Sequence, residues 1–265
     1  MNILDTIITK KKIEIAERKR NKSIFELENG PFFKNVALSF RDFLLEEDKT
    51  GIIAEFKRKS PSKGVINDTS TVTEVTTAYA RSGASAISVL TDEEFFGGSL
   101  KDLLEATINE VPLLRKDFII DEYQLVESKA FGAEVILLIA ACLSREEVKR
   151  FAALAKNLGL NVLLEIHNLQ ELAHICNDVD VVGVNNRDLK TFTVDINRSL
   201  ELGEQLGGNT IKISESGIDT ISSIRLLQHH GFKGFLIGEK FMKEKNPGLA
   251  FEHFAEELKK DKNET

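Results

Sequence analysis

Four times along this chain a helix-like stretch ends in a glycine, and within four residues a short aliphatic run begins. The cases are Gly83 before Ala86-Ile87-Ser88-Val89-Leu90, Gly132 before Val135-Ile136-Leu137-Leu138-Ile139, Gly159 before Val162-Leu163-Leu164-Glu165-Ile166, and Gly231 before Phe235-Leu236-Ile237. A glycine there suits the left-handed residue that closes a helix and turns the chain into a strand. Nearly continuous apolar strands alternating with helices predict a parallel sheet covered on both faces. Runs of this kind fall near 51–57, 86–91, 112–117, 134–140, 161–166, 180–185, 210–215 and 234–238, eight in all. The intervals carry apolar residues three and four apart, such as Val148, Phe151, Ala152, Ala155 and Leu158, or Leu172, Ala173 and Cys176, and predict helices. Eight βα units with no internal linker predict an α/β fold, one (β/α)8 TIM barrel rather than two Rossmann-like halves. No G-x-G-x-x-G follows any strand, so nothing marks a dinucleotide site.

About fifty residues precede the first strand, too many for a simple barrel. Ile3, Ile7, Ile8, Ile13 and Ile15 beside a Lys/Arg-rich face predict an amphipathic helix, with a second over 39–47. The expected organisation is a single domain over 1–265, with 1–48 an N-terminal helical extension and 49–265 the barrel. The residues alone favour an extension that plugs the bottom or flank of the barrel over one that covers its top.

Of the 265 residues 42% are hydrophobic, and a core of this size buries about three quarters of the extended chain's surface, so stability asks for neither metal nor disulfide. Cys142 and Cys176 stand apart, with no partner at metal-ligand spacing, and are expected as reduced thiols. The net charge of −7 is the opposite of a nucleic-acid binder's footprint. The N-terminal charges are mixed among apolar residues, unlike a cleavable signal peptide. The longest apolar run, 135–143, is under half of the ~20 residues that span a membrane. A soluble cytoplasmic protein is expected, without nucleic-acid or membrane partners.

In such a barrel the functional site lies at the C-terminal ends of the strands. The first strand reads Ile52-Ile53-Ala54-Glu55-Phe56-Lys57, and period-two alternation puts Glu55 and Lys57 on one face. The third ends Leu114-Arg115-Lys116-Asp117, the fifth Leu163-Leu164-Glu165, the sixth Val184-Asn185-Asn186-Arg187, and the seventh Ile213-Ser214-Glu215-Ser216-Gly217. One Lys or Glu in such a place is simply where a strand meets water. Five strands converging with two lysines, three glutamates and an amide make that explanation poor. Alternating cations and anions hold one another charged while one Lys and one Glu move toward working pKa values, as acid–base chemistry near neutrality requires.

Ser216-Gly217 after the seventh strand and Gly234 with Gly238-Glu239 at the eighth form a second constellation. Glycine-bearing turns at these two places, each before a helix, are the cradle in which many barrels hold a phosphate through backbone N–H groups. A small-molecule phosphate ester is therefore expected as substrate. The five histidines show no pattern; His167 is expected in solvent or behind the substrate. Asp117 and Asp188 are read as helix caps or loop anchors.

The segment 53–62, Ile-Ala-Glu-Phe-Lys-Arg-Lys-Ser-Pro-Ser, resembles the signature of indole-3-glycerol phosphate synthase. So do Leu90-Thr91-Asp92 with Phe96-Gly97-Gly98-Ser99, Arg115-Lys116-Asp117-Phe118-Ile119, Gly183-Val184-Asn185-Asn186-Arg187-Asp188-Leu189, Ser214-Glu215-Ser216-Gly217-Ile218 and Leu236-Ile237-Gly238-Glu239. The resemblance covers essentially the whole chain. It implies closure of 1-(2-carboxyphenylamino)-1-deoxyribulose 5-phosphate to an indole with loss of carbon dioxide and water, and no cofactor or metal. Lys116 matches the general acid, and Glu165 the carboxylate that acts as base and stabilises the cationic ring. Lys57 matches the residue that binds the substrate carboxylate and serves as an acid in dehydration. Glu55, Asn185 and Glu215 match residues that bind sugar hydroxyls, orient the lysines and support proton transfer. Phe96, Phe118 and Leu137 would line the aromatic pocket. Ser60, Ser216, Gly217, Gly238 and the backbone of Glu239 would lie near the phosphate, and Arg187 would bind substrate by adding positive potential at the mouth.

Glu239 stands where some members carry Ser; a carboxylate beside a phosphate repels it, so its side chain is expected to turn away. The chain has no Trp, which leaves phenylalanines to stack on the ring. In the family the extension covers the active-site mouth, which reverses the preference of the residues alone. A monomer is expected, with weak association with other tryptophan-pathway enzymes allowed. Sister barrel isomerases would present a Cys/Asp or Asp/Asp pair on strands that here carry Glu55, Lys57 and Glu165. A non-catalytic barrel would have lost a charged strand end, and none is missing.

Overall fold

A computed structural model describes residues 3–188 and 191–263; Leu189 of the motif above lies outside the described residues. Among these, eight strands close into a parallel barrel in sequence order: β1 (Ile52–Phe56), β2 (Ala86–Leu90), β3 (Leu113–Lys116), β4 (Val135–Ile139), β5 (Asn161–Ile166), β6 (Val181–Asn185), β7 (Lys212–Glu215) and β8 (Gly234–Ile237). Each lies within a run read from the sequence, shorter by a residue or two at its ends. The hydrogen-bond register levels the functional ends: Leu90 is opposite Lys116, Glu165 opposite Gly183, Asn185 opposite Glu215, and Glu215 opposite Leu236.

The four glycines close helices as expected, with φ of 95° at Gly83, 83° at Gly132, 71° at Gly159 and 83° at Gly231. At each, the glycine N–H and the next N–H bond back to successive orphan carbonyls of the last turn, as Gly83 does to Ala80 and Ala84 to Tyr79. Among the described residues the helices in chain order are α1 (Ile3–Asn21), α2 (Ile24–Glu28), α3 (Phe40–Leu45), α4 (Val72–Arg81), α5 (Glu93–Phe96), α6 (Leu100–Ala106), α7 (Glu122–Ala130), α8 (Arg145–Asn157), α9 (Asn197–Gln205), α10 (Ile221–His229), α11 (Glu239–Met242) and α12 (Pro247–Asn263), and those closed in this way are α4, α7, α8 and α10. One interval departs from expectation. Leu169–His174 between β5 and β6 is a 3-10 helix, capped by Asn168, and not an α-helix. Fourteen residues must there descend and return between two strands, and the tighter helix lets Glu171 reach back to the end of β5.

The extension does two things at opposite ends of the barrel. Its helix α3 (Phe40–Leu45) sends buried Phe40 and Leu44 against Ile53, Leu114 and Ile213 inside the barrel, and Phe40 N–H donates to Asn161 at the start of β5. Burying a side chain of this kind stabilises by about 1.5–3 kcal/mol. The barrel floor is therefore closed by residues that precede it in the chain.

The helix α1 (Ile3–Asn21) instead lies over the strand ends. Its inward stripe is Ile7, Lys11 and Ile15 at helical spacing, whereas Ile13, expected in the apolar face, is exposed. Lys11 is buried against Glu14, Asp92 and Asp117, with N···O distances of 2.8, 2.9 and 2.9 Å. Fully buried Arg115 continues the chain of charges to Asp117 and Glu127 at 2.9 Å each, and Arg18 of α1 reaches Glu127 at 3.0 Å. Alternation of sign lets seven charges share one largely buried seam, because each has an opposite neighbour.

Candidate active site

The strand ends surround a cavity of about 610 Å³ lined by all fifteen residues given a site role in the sequence, whereas Gly234, read there into the phosphate cradle, stands at the start of β8 against Leu44 and Ile213 on the barrel floor and takes no part in it. On the floor, Lys57 Nζ donates to Glu55 Oε1 at 2.7 Å, as their shared face predicts, and Ser88 Oγ lies 3.4 Å from the other oxygen of Glu55. Lys116 Nζ bridges Glu165 Oε2 at 2.7 Å and Glu215 Oε2 at 2.8 Å. Asn185 Nδ2 donates to Glu165 Oε1 at 3.1 Å, and its own oxygen accepts the N–H of Arg187.

Burial opposes the charge on Lys116, but the carboxylates of Glu165, Glu215 and Glu55 outweigh it and raise its pKa above the ordinary lysine range. The two bridged carboxylates part company. Burial works against the charge of Glu165, yet Lys116 and His167 hold its pKa well below the usual carboxylate range. Burial and the neighbouring Glu165 push Glu215 up to about 7, against the pull of Lys116. A permanent carboxylate, an ammonium and a carboxyl that titrates near neutrality therefore meet at one point, a set able to give and take protons at working pH.

Two glycines make room for these carboxylates. A Cβ on Gly183, in the middle of β6, would collide with Glu215 Oε1, and one on Gly238 would stand 2.7 Å from Glu55 Oε1. Gly183 was not singled out from the sequence beyond its motif, although a glycine inside an otherwise apolar strand is itself a sign of close approach.

Opposite the charges is the apolar wall. Phe96, in the short helix Glu93–Phe96, and Phe118 lie with ring centroids 6.1 Å apart and planes tilted by 40°. Leu137 of β4 and Ile3, Leu4 and Ile7 of α1 complete this side of the cavity. The wall is held by the acids of the buried seam: Asp92 caps the Phe96 helix through Phe95 N–H, and Asp117 accepts the N–H of Phe118. Asp117 is thus a loop anchor, as read, while Asp121 caps α7.

At the far end, Ser216 and Gly217 both adopt left-handed backbone, with φ of 68° and 73°. Ser216 pays strain that Gly217 does not, and such strain concentrates at functional turns. Asn186, passed over in the sequence, holds this turn: its Nδ2 donates to Ser216 O and Ser214 Oγ, and its Oδ1 accepts from Ser199. Alternation along β6 sends Asn185 into the cavity and Asn186 outward to this task. Ser60 sits on a small hairpin, Lys59–Ser60 against Gly64–Val65, at the mouth. The Glu239 side chain lies between two cations of the rim, 3.5 Å from Lys63 and 3.8 Å from Arg187. Repulsion from an anion is not the only force on it, since those cations attract it.

His167 is neither in solvent nor on the cavity wall. It is buried behind Glu165, with Nε2 3.1 Å from Glu165 Oε1 and Nδ1 3.3 Å from Glu171 Oε2. Cys142 and Cys176 are both free thiols, and burial pushes Cys142 up to about 12. Among the described residues no helix is long and apolar enough to cross a membrane.

The family model described as indole-3-glycerol phosphate synthase matches residues 4–254. A Bacteroides thetaiotaomicron protein of that description is 46% identical over 254 residues, spanning 96% of this chain and 97% of its own. One from Acinetobacter baylyi is 40% identical and spans 94% of each chain. Among solved structures, the tryptophan synthase alpha subunit of Legionella pneumophila superposes with a TM-score of 0.61 over 85% of this chain and 98% of its own, at 12% identity. That last likeness is one of fold.

Proposed function

This chain belongs to the indole-3-glycerol phosphate synthase family, carboxy-lyases of tryptophan biosynthesis, and on that premise we propose how its side chains divide the work. The reaction joins the carboxylate-bearing ring carbon of the carboxyphenylamino-deoxyribulose phosphate to the ribulose carbonyl carbon. Carbon dioxide and then water leave, and indole-3-glycerol phosphate remains.

Lys116 donates its proton to the carbonyl oxygen as the ring carbon attacks, so that the oxygen becomes a hydroxyl rather than an alkoxide. Closure leaves an iminium in the new ring, and this draws in the electron pair released when the carboxylate departs. The substrate thus supplies its own electron sink, and the protein's task is proton placement. Glu165 stabilises the cationic ring and takes the proton whose loss restores aromaticity. Lys57 binds the substrate carboxylate and acts as acid when the hydroxyl leaves as water. Glu55, Asn185 and Glu215 bind sugar hydroxyls, orient the lysines and pass protons between steps. Phe96, Phe118 and Leu137 take the anthranilate ring, while Ser60, Arg187 and the amides of Ser216, Gly217, Gly238 and Glu239 hold the phosphate. The scheme calls on no cofactor.

The observation that carries this division is the Lys116 ammonium bridging Glu165 and Glu215 at 2.7 and 2.8 Å beside the aromatic pair. We read residues 1–265 as one unit whose first helix closes the mouth, acting as a cytoplasmic monomer. The decisive experiment is turnover of the purified protein on the carboxyphenylamino-deoxyribulose phosphate, followed by indole fluorescence with a chelator present. Product formation that is lost in Lys116→Ala supports the reading, and turnover that survives this substitution overturns it.

A further inference from the structure

Glu165 and Glu215 lie at nearly equal distances from one ammonium, and both are buried, so Lys116 alone cannot tell them apart. Their outer oxygens differ. Glu165 Oε1 has the Asn185 amide at 3.1 Å and His167 Nε2 at 3.1 Å. Glu215 Oε1 is buried without a hydrogen-bond partner among the described residues. One neighbour with a titratable charge separates the two carboxylates, and it is His167.

The surroundings of His167 decide whether it carries that charge. On its own strand it faces Glu165. On the 3-10 helix that follows it faces Glu171, whose Oε2 also accepts the backbone N–H of His167 at 2.7 Å and whose Oε1 accepts from Asn168 at 2.6 Å. From the turn after β4 comes the Cys142 thiol, neutral because burial and these same carboxylates raise its pKa. His174 of the 3-10 helix turns its ring nitrogens to the carbonyls of Glu171 and Leu143. Lys116 is beyond Glu165, on that group's other oxygen. Burial disfavours the imidazolium, but Glu165 and Glu171 outweigh it and lift His167 to about 9. At neutral pH the ring is a cation between two anions.

We infer that His167 is a positioning residue that, as an imidazolium held by Glu171 behind Glu165, determines which of the two carboxylates flanking Lys116 stays ionised through turnover. The inference rests on Glu165 acting as the base, as proposed above. It leaves Glu215, which has no such neighbour, as the group free to gain and lose a proton near neutrality.

The test is the pH dependence of kcat/KM, from about pH 5 to about pH 9, for the whole protein and four variants: His167→Asn, His167→Gln, Glu171→Gln and Glu165→Gln. Glu165 and Glu215 share one ammonium and titrate as a pair, and removing the cation beside them raises the pH at which the pair loses its last proton, so the acid limb of the His167 variants moves to higher pH, by about one unit. Activity on that limb then falls on the order of tenfold and recovers as the pH rises. Glu171→Gln keeps the imidazole in place but weakens its hold on the proton, and its limb moves the same way by less. This second variant keeps the inference falsifiable if the His167 variants do not fold. An acid limb that stays where the unsubstituted protein has it, or activity lowered evenly at every pH, gives His167 a packing role only and overturns the inference. Glu165→Gln separates the two claims: if it turns over normally the base assignment falls, whereas if it is inactive and the limb is unmoved only the role of His167 falls.

Discussion

The carboxylate of Glu215 occupies the space that a side chain at position 183 would fill: a Cβ on Gly183 would collide with Glu215 Oε1. Gly183→Ala therefore acts on the chemistry through sterics alone. Pushing Glu215 aside costs about 1–3 kcal/mol of packing energy and disturbs the bridge to Lys116. We expect kcat to fall by roughly ten- to a hundredfold with a modest loss of Tm, since a small misplacement of catalytic groups carries that penalty. Steady-state kinetics beside a thermal melt will show it; an unchanged kcat would mean that the carboxylate has another place to go.

Lys116→Ala is expected to lower kcat by about a thousandfold or more, the scale of a lost general acid. The barrel should persist, because Lys116 caps a strand at the cavity and does not fill the core. Far-UV circular dichroism and indole fluorescence on the same sample separate the two effects. In this variant Glu165 also loses its principal cation, so its carboxyl should titrate at higher pH than in the unsubstituted protein.

Glu215 makes a signed prediction for stability. Its pKa in the folded state is about 7, raised from an ordinary 4.5. The folded protein therefore holds this proton more tightly than the unfolded chain does, and the group costs stability progressively as the pH rises from about 4.5 to about 7. Glu215→Gln removes that cost. Denaturation midpoints compared across this window should show the variant gaining on the unsubstituted protein with rising pH, while its turnover drops.

Lys11→Met removes the cation that Glu14, Asp92 and Asp117 share. Breaking a buried ion pair by deleting one partner costs about 3–5 kcal/mol. Because Asp92 and Asp117 also set the backbone of Phe96 and Phe118, KM should rise along with the loss of stability. A variant as stable as the starting protein would show that the seam is hydrated in solution. Lys11→Arg, which keeps the charge, should recover most of both properties.

The barrel was legible because every strand shows as an apolar run and four of the eight announce themselves a second time, by the glycine that ends the preceding helix. The strand ends were legible for a related reason, since polar residues that interrupt an apolar run stand out. What stayed hidden depends on the third dimension. Lys11 looks like any other residue of a basic helix face, yet Asp92 and Asp117, far along the chain, draw it under the surface. Asn186 and Asn185 are neighbours of one type, and only the pleat gives one to the cavity and the other to the Ser216 turn. His167 showed no pattern because Glu171, four residues on, meets it only once the chain has turned into the 3-10 helix. The partners of the Glu239 side chain, Lys63 and Arg187, were hidden too, because the fold brings them to it from two other loops.

The buried seam also fixes an order of events during synthesis. The helix α1 leaves the ribosome before the barrel does, but the acids it must meet lie just past β2 and β3 and on α7, and Arg18 waits for a partner 109 residues later. Emerging alone, this helix has charges on every side and little apolar surface to hide, so nothing retains it until Asp117 and Glu127 have been made. The piece of chain that roofs the reaction chamber is thus written ahead of the chamber's walls and installed only after they are up.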